Sequence, residues 1–271
     1  MKTTHTTRTS TTRRALLAAT FFILHSTFFI GHGTAAAPKP PPGAPNAGWK
    51  QWNQEMKYKL QNWTLMPDSA VLTVTSTNGT TEYTTKLVSG SWASTQTKPR
   101  VEIAWPRWPD QKSENMISAD VMYEKGTRGA TCIMQIKTND NTGGSGAEAV
   151  YLNVRDDNAL HHGVSRQVII DDNGYNVWHN IKAAYNPLTG RARVWVDNVL
   201  KFEQTYYDGG IDAQWYFKTG CYHVKSGQTA IAHFKNITFW VNPVKPTKEE
   251  IKAAQDALAE KAKNAKPKKK K

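Results

Sequence analysis

In the segment Tyr216-Phe217-Lys218-Thr219-Gly220-Cys221-Tyr222-His223-Val224, two phenols and an ammonium fall on alternate residues. Side chains of a β-strand alternate between its faces, so Tyr216, Lys218, Gly220 and Tyr222 share one side while Phe217, Thr219, Cys221 and His223 share the other. Glycine among them leaves room for close approach to the backbone. A core-facing strand would not carry that set. It suits the floor of a polar cleft, and a tyrosine beside a lysine is a pair able to move a proton. The same parity places Arg100 with Glu102 in front of Val101 and Ile103, and Gln135 with Lys137 in front of Met134 and Ile136. An ordinary solvated sheet face is seldom so poor in Thr and so rich in Arg, Gln, Lys and Tyr. The three segments therefore read as one site.

Together they resemble the alginate lyases of polysaccharide lyase family 7 and their relatives, the glucuronan lyases. YFKTGCYHV is similar to that family's YFKAGxYxQ segment, Arg100-Val101-Glu102 to its RxE strand, and Gln135-Ile136-Lys137 to its QIH strand, in the same order across residues 98–224. The resemblance implies β-elimination of a 1,4-linked polyuronate. Taking a proton from the carbon beside a carboxylate requires that carboxylate to be neutralised, a role the family assigns to Arg100 and Gln135. Arginine can meet it with two parallel N–H donors, and one preorganised donor is worth about 10²–10³ in rate. Tyr222 matches the catalytic tyrosine, which protonates the departing O4 and can serve as base. A free phenol titrates near 10, so a phenolate needs cations such as Lys218 and Arg100. Glu102 would orient Arg100. Tyr216, Lys218 and Trp105 complete the expected substrate contacts; Trp105 and Trp108 are amphipathic enough to stack on sugar rings, although with ten Trp in one small domain core packing is the default for any one of them.

Two departures from the family bear on substrate. Lys137 stands where the family has histidine, and Val224 where it has glutamine. In mannuronate and glucuronate the C5 proton and O4 leave from the same face, so one tyrosine can serve both; guluronate needs a second group on the opposite face. Without that histidine the chain suits the first kind, with Lys137 adding positive charge. His161, His162 and His179 read as structural or surface residues.

The rival reading is a non-catalytic carbohydrate-binding jelly roll using the same aromatic and basic face. A glycoside hydrolase needs two carboxylates about 5–10 Å apart; Asp156-Asp157 and Asp171-Asp172 fall in turn-like stretches, and no strand carries such a set. No cofactor or metal is expected, because His161-His162 has no partners at ligand spacing, and no glycine-rich phosphate loop precedes a helix.

The elements that must hold these residues are short β-branched and aromatic runs at 70–77, 82–88, 101–105, 116–123, 130–138, 149–154, 167–170, 176–185, 191–200, 215–224 and 230–241. Asn186-Pro187-Leu188-Thr189-Gly190 forms a hairpin loop between two of them. This spacing predicts an all-β antiparallel jelly-roll sandwich over residues 47–243, large enough for one core. Parity puts Cys132 behind Gln135 and Cys221 behind Tyr222. If their strands are neighbours, a disulfide would fasten the cleft floor.

The ends have different compositions. Residues 1–37 have a basic start, an apolar run from Ala15 to Ile30 too short to span a bilayer, and Ala35-Ala36-Ala37, the pattern of a secretory signal peptide. Thr12-Arg13-Arg14 resembles a twin-arginine signal, whereas Asn62, Asn78 and Asn236 head N-glycosylation tripeptides. Residues 38–46 form a stiff Pro-rich linker. Residues 244–271 are a Lys-rich helical or disordered tail opened by a Thr247/Glu250 capping box. It is either solvated or an electrostatic tether to an acidic polymer. The net charge of +13 is an end effect, since the first 37 residues carry +4 and residues 243–271 carry +6. The domain's remaining +3 gives no basic face for nucleic acid. The expected partner is an acidic polysaccharide, with no nucleic acid, no membrane and a secreted, monomeric chain.

Overall fold

The runs of β-branched and aromatic residues form fifteen strands among the described residues. The computed structural model describes residues 43–63, 70–88, 99–127, 131–138, 147–163, 165–205, 213–222 and 228–264, all within the unit Ala37–Lys271. The expected signal peptide at residues 1–37, most of the expected linker, His223, Val224 and the terminal lysines lie outside them.

In chain order the strands are β1 (Lys50–Gln51), β2 (Lys59–Trp63), β3 (Ala70–Thr77), β4 (Thr80–Val88) and β5 (Arg100–Arg107). Next come β6 (Asn115–Tyr123), β7 (Thr131–Thr138), β8 (Ala147–Val154), β9 (Leu160–His162) and β10 (Val168–Ile170). The last are β11 (His179–Asn186), β12 (Arg191–Val196), β13 (Val199–Thr205), β14 (Trp215–Tyr222) and β15 (Thr229–Val241), followed by helix α1 (Lys248–Asn264). One sheet runs β13-β12-β11-β6-β15-β4-β3, with β1 also on β15; the other runs β10-β9-β8-β7-β14-β5-β2. Every pairing is antiparallel. The expected all-β sandwich is the observed fold.

The two sheets bury a shared core. Leu87, Ile117, Val121, Ile181 and Phe234 of one sheet meet Val101, Ile103, Ile136, Leu152 and Phe217 of the other, all essentially inaccessible. Burying one such side chain contributes roughly 1.5–3 kcal/mol. Aromatic rings thicken this core beneath β14, where Phe217 lies 5.1 Å from Trp108, 5.6 Å from Trp52 and 5.5 Å from Phe239.

Turn chemistry sets the strand ends. Asp197 and Asn198 both have positive φ, 50° and 68°, the signature of a tight hairpin. They split the expected 191–200 run into β12 and β13. Asn186 to Gly190 connects β11 to β12 as expected, closed by the Gly190 N–H donating to the Asn186 carbonyl at 2.8 Å. The capping box at α1 forms in both directions: Thr247 N–H donates to Glu250 Oε2 at 2.8 Å, and Glu250 N–H to Thr247 Oγ1 at 3.2 Å. Among the described residues no helix is long and apolar enough to cross a membrane.

Candidate active site

Strands β7, β14 and β5 are neighbours in the second sheet, which brings the three sequence segments together. Tyr222 pairs with Arg100, Gly220 with Glu102, and Lys218 with both Ala104 and Gln135. Directly opposed residues share a face. Arg100, Glu102, Gln135, Lys218 and Tyr222 therefore occupy one patch on the face turned away from the core. Gly220 is required here by β5 itself. Its φ is +138°, and a Cβ would lie 2.3 Å from the Val101 carbonyl oxygen and 2.7 Å from Glu102 Cα.

The floor of the patch is a buried charge cluster. Glu102, 2 % exposed, accepts from Gln135 Nε2 at 2.5 Å through Oε1 and from Lys218 Nζ at 3.0 Å through Oε2. Arg100 Nη1 stands 3.7 Å from the same Oε2. A buried carboxylate is tolerable only when so compensated. Burial pulls the Lys218 ammonium below its ordinary range, and Glu102 opposes that shift.

Above this floor the Arg100 guanidinium lies 4.6 Å from the centre of the Tyr222 ring. Burial raises the Tyr222 phenol above its ordinary 10, Arg100 pulls it back, and Glu102 pushes it up again. Tyr151 of β8 meets the same ring edge-to-face at 6.4 Å. Lys137 Nζ is 2.7 Å from Glu148 Oε1 on β8. The arrangement can pair one carboxylate with Arg100 and hold a phenol against the atom beside it.

No family model matches the chain, and no curated protein matches it. Solved structures do. The chain is similar to the alginate lyase AlgAT5 from polysaccharide lyase family 7, at 13 % identity over 59 % of this chain and 78 % of that one, with a TM-score of 0.46. It is also similar to the alginate lyase AlyA1 from Zobellia galactanivorans, at 16 % identity over 61 % and 79 %, TM-score 0.45. The alginate lyase PA1167 from Pseudomonas aeruginosa is a third, at 18 % identity over 60 % and 84 %, TM-score 0.45.

The structure corrects several expected roles. Trp105 faces the core rather than a sugar: its Nε1 donates to Thr219 Oγ1 at 3.1 Å and its ring lies 5.4 Å from Phe239. Trp108 takes the default core position, buried against Trp215 and Phe217. Lys218, 2 % exposed, is an internal counter-ion rather than a substrate contact, and Tyr216 is also buried. Gln135 spends one amide N–H on Glu102, leaving its second for other work. Glu102 binds Gln135 and Lys218 more closely than Arg100. Lys137 does not present a free charge, because Glu148 neutralises it.

The expected disulfide is absent; Cys132 and Cys221 are both free and buried. In β14 against β7, Thr219 pairs with Met134, so unbroken register would set Cys221 opposite Cys132. An irregularity intervenes, and Tyr222 pairs with Cys132 instead. Cys132 thus shares the outer face with Tyr222, while Cys221 points into the core, 3.4 Å from Thr85 Oγ1 of the other sheet.

The histidines are structural, as expected. His161 nitrogens face Asp157 Oδ2 at 2.8 Å and the Arg166 carbonyl at 3.1 Å. His162 stacks on Phe202 at 4.0 Å, with burial pulling its pKa down to about 4. His179 pairs with Asp197 at 2.9 Å. Among the described residues no group of three or more candidate ligands can hold a metal. Asn78 lies exposed at the β3–β4 turn, and Asn236, exposed on β15, donates to Asp120 Oδ2 at 2.7 Å; the side chain of Asn62 lies outside the described residues. Sequence reasoning missed Tyr151 and Glu148. Tyr151 alternates with Val150 and Leu152, so the same parity argument would have placed it on the site face.

Proposed function

We propose that this chain is a secreted polysaccharide lyase that cleaves a 1,4-linked polyuronate of mannuronate or glucuronate type by β-elimination, leaving unsaturated uronate ends. The observation that carries this reading is the Arg100 guanidinium seated over the Tyr222 ring at 4.6 Å, above a floor of compensated buried charge. A uronate lying on this face would set its carboxylate against Arg100, assisted by the second amide N–H of Gln135. Neutralising that carboxylate acidifies the C5 proton. Tyr222 is then the phenol within reach of C5, and the same cation that pairs the carboxylate favours its phenolate. Glu102 and Lys218 act beneath the substrate by fixing Arg100 and Gln135.

The geometry also bears on linkage. Tyr222 and Tyr151 both rise from the sheet, so they reach only the sugar face that lies on it. That matches mannuronate and glucuronate, whose C5 proton and O4 depart on one side. The test is a panel of polymannuronate, glucuronan, polyguluronate and polygalacturonate, followed by the ultraviolet absorbance of the conjugated product. Product from polymannuronate or glucuronan is expected, with Tyr222→Phe reducing it by about 10²–10⁴, the usual range for a proton-transfer group. Faster cleavage of polyguluronate would overturn the linkage, full activity in Tyr222→Phe the mechanism. Binding of these polymers without product would return the carbohydrate-binding reading.

A further inference from the structure

Tyr151 stands on β8 directly across from Gln135, on the face that carries Tyr222. Two contacts seat its ring. One is the edge-to-face packing on Tyr222 at 6.4 Å; the other is Gly163, where a Cβ would come within 2.4 Å of Tyr151 Cδ1. The Gly163 N–H also donates to the Tyr151 carbonyl at 2.6 Å. The ring is therefore fixed, yet still partly exposed to the solvent side.

The two phenols differ in their charged surroundings. Arg100 lies over Tyr222. Burial first, and next the acidic groups Cys132, Tyr222, Glu102 and Glu148, push the Tyr151 phenol far above the ordinary range. A pair of titratable groups whose environments separate their proton affinities divides into a base and an acid.

We propose that Tyr151 is a second catalytic phenol of this site, donating its proton to the departing O4 while Tyr222 takes the C5 proton; this rests on the lyase reading above. The Tyr222 phenolate accepts the proton from C5, and the C5–H electron pair forms the C4–C5 double bond. The C4–O4 bond breaks with its pair on O4, which takes the phenolic proton of Tyr151. Tyr222 is left protonated and Tyr151 as phenolate, and transfer of one proton from Tyr222 to Tyr151 through solvent restores both. The pair supplies the second group that the missing histidine would have given, on the same side of the sugar as the first.

The experiment compares the full-length chain with Tyr151→Phe and Tyr222→Phe on two substrates. One is the polyuronate the parent chain cleaves; the other is a 4-deoxy-4-fluoro uronoside, whose fluoride leaves without a proton. For Tyr151→Phe, kcat on polymer is expected to fall about 10²-fold or more, within the range for a lost general acid, with KM little changed. Fluoride release should stay within about threefold of the parent, as expected when the lost group is only the acid, and would also report a folded site. Tyr222→Phe is expected to lose both activities. Full polymer activity in Tyr151→Phe, or equal loss on the two substrates, would overturn the proposal while leaving the lyase reading standing. No unsaturated product from the parent chain would instead sink the lyase reading itself, and this proposal with it.

Discussion

Tyr222 is pulled in two directions, and Arg100 decides how far. Burial raises its phenol and the guanidinium over its ring lowers it. If Tyr222 acts as base, kcat/KM should climb with pH through the neutral range, because the phenolate fraction grows tenfold per pH unit below the pKa. Arg100→Met removes the cation, so the Tyr222 pKa should rise and the profile should move toward alkaline pH. The rate at neutral pH should fall by about 10²–10³, the usual worth of one preorganised donor. A pH series of initial rates for parent and variant checks this, and an unshifted profile would show that Arg100 does not act on Tyr222. Much of this pairing was legible in the alternation of Arg100, Glu102, Lys218 and Tyr222. What alternation cannot reveal is partner choice within a face. Glu102 is opposite Gly220, so its carboxylate reaches sideways to Gln135 and Lys218, a geometry set by strand neighbours rather than by sequence order.

At the scale of elements, strand parity succeeded wherever the ladder is regular and failed where it is not. β14 alternates as expected from Trp215 to Tyr222. Trp105 was legible too, since it shares parity with Val101 and Ile103; its size invited a stacking role that its position denies. The disulfide failed for another reason. A bulge adds a residue on one strand and switches faces beyond it, and the irregularity between Cys132 and Met134 of β7 carries no Gly or Pro to mark it in the sequence. Gly220 acts differently, by letting β5 pass close to β14 beneath the site. Gly220→Ala would force a Cβ into the β5 backbone at 2.3 Å from the Val101 oxygen. Overpacking of that kind costs about 1–3 kcal/mol, and the strained φ adds about 1–3 kcal/mol more. Denaturant unfolding should register the combined loss, with activity falling further as Arg100 and Tyr222 move apart. A variant as stable as the parent would mean that β14 and β5 can separate without cost.

For the whole molecule, the sandwich layout followed from turn-bounded strands, whereas β1 and β9, of two and three residues, carry too few for a period-2 signal to emerge. One of them, β9, contributes a titratable ring packed between the two sheets. His162 points inward from β9, and its ring stacks on Phe202 of β13 in the opposite sheet at 4.0 Å. Burial holds its pKa at about 4 against 6.5 for an exposed ring. The folded form thus binds fewer protons than the unfolded chain between those two values, and stability must fall as pH drops through that window. The stabilisation is complete above pH 6.5, and the loss approaches about 3 kcal/mol near pH 4, from the size of the shift. His162→Phe keeps the stack on Phe202 and removes the titration. Unfolding free energies measured from pH 7 to pH 4 should therefore fall less steeply in the variant than in the parent. Identical slopes would mean that the two sheets separate in acid for some other reason.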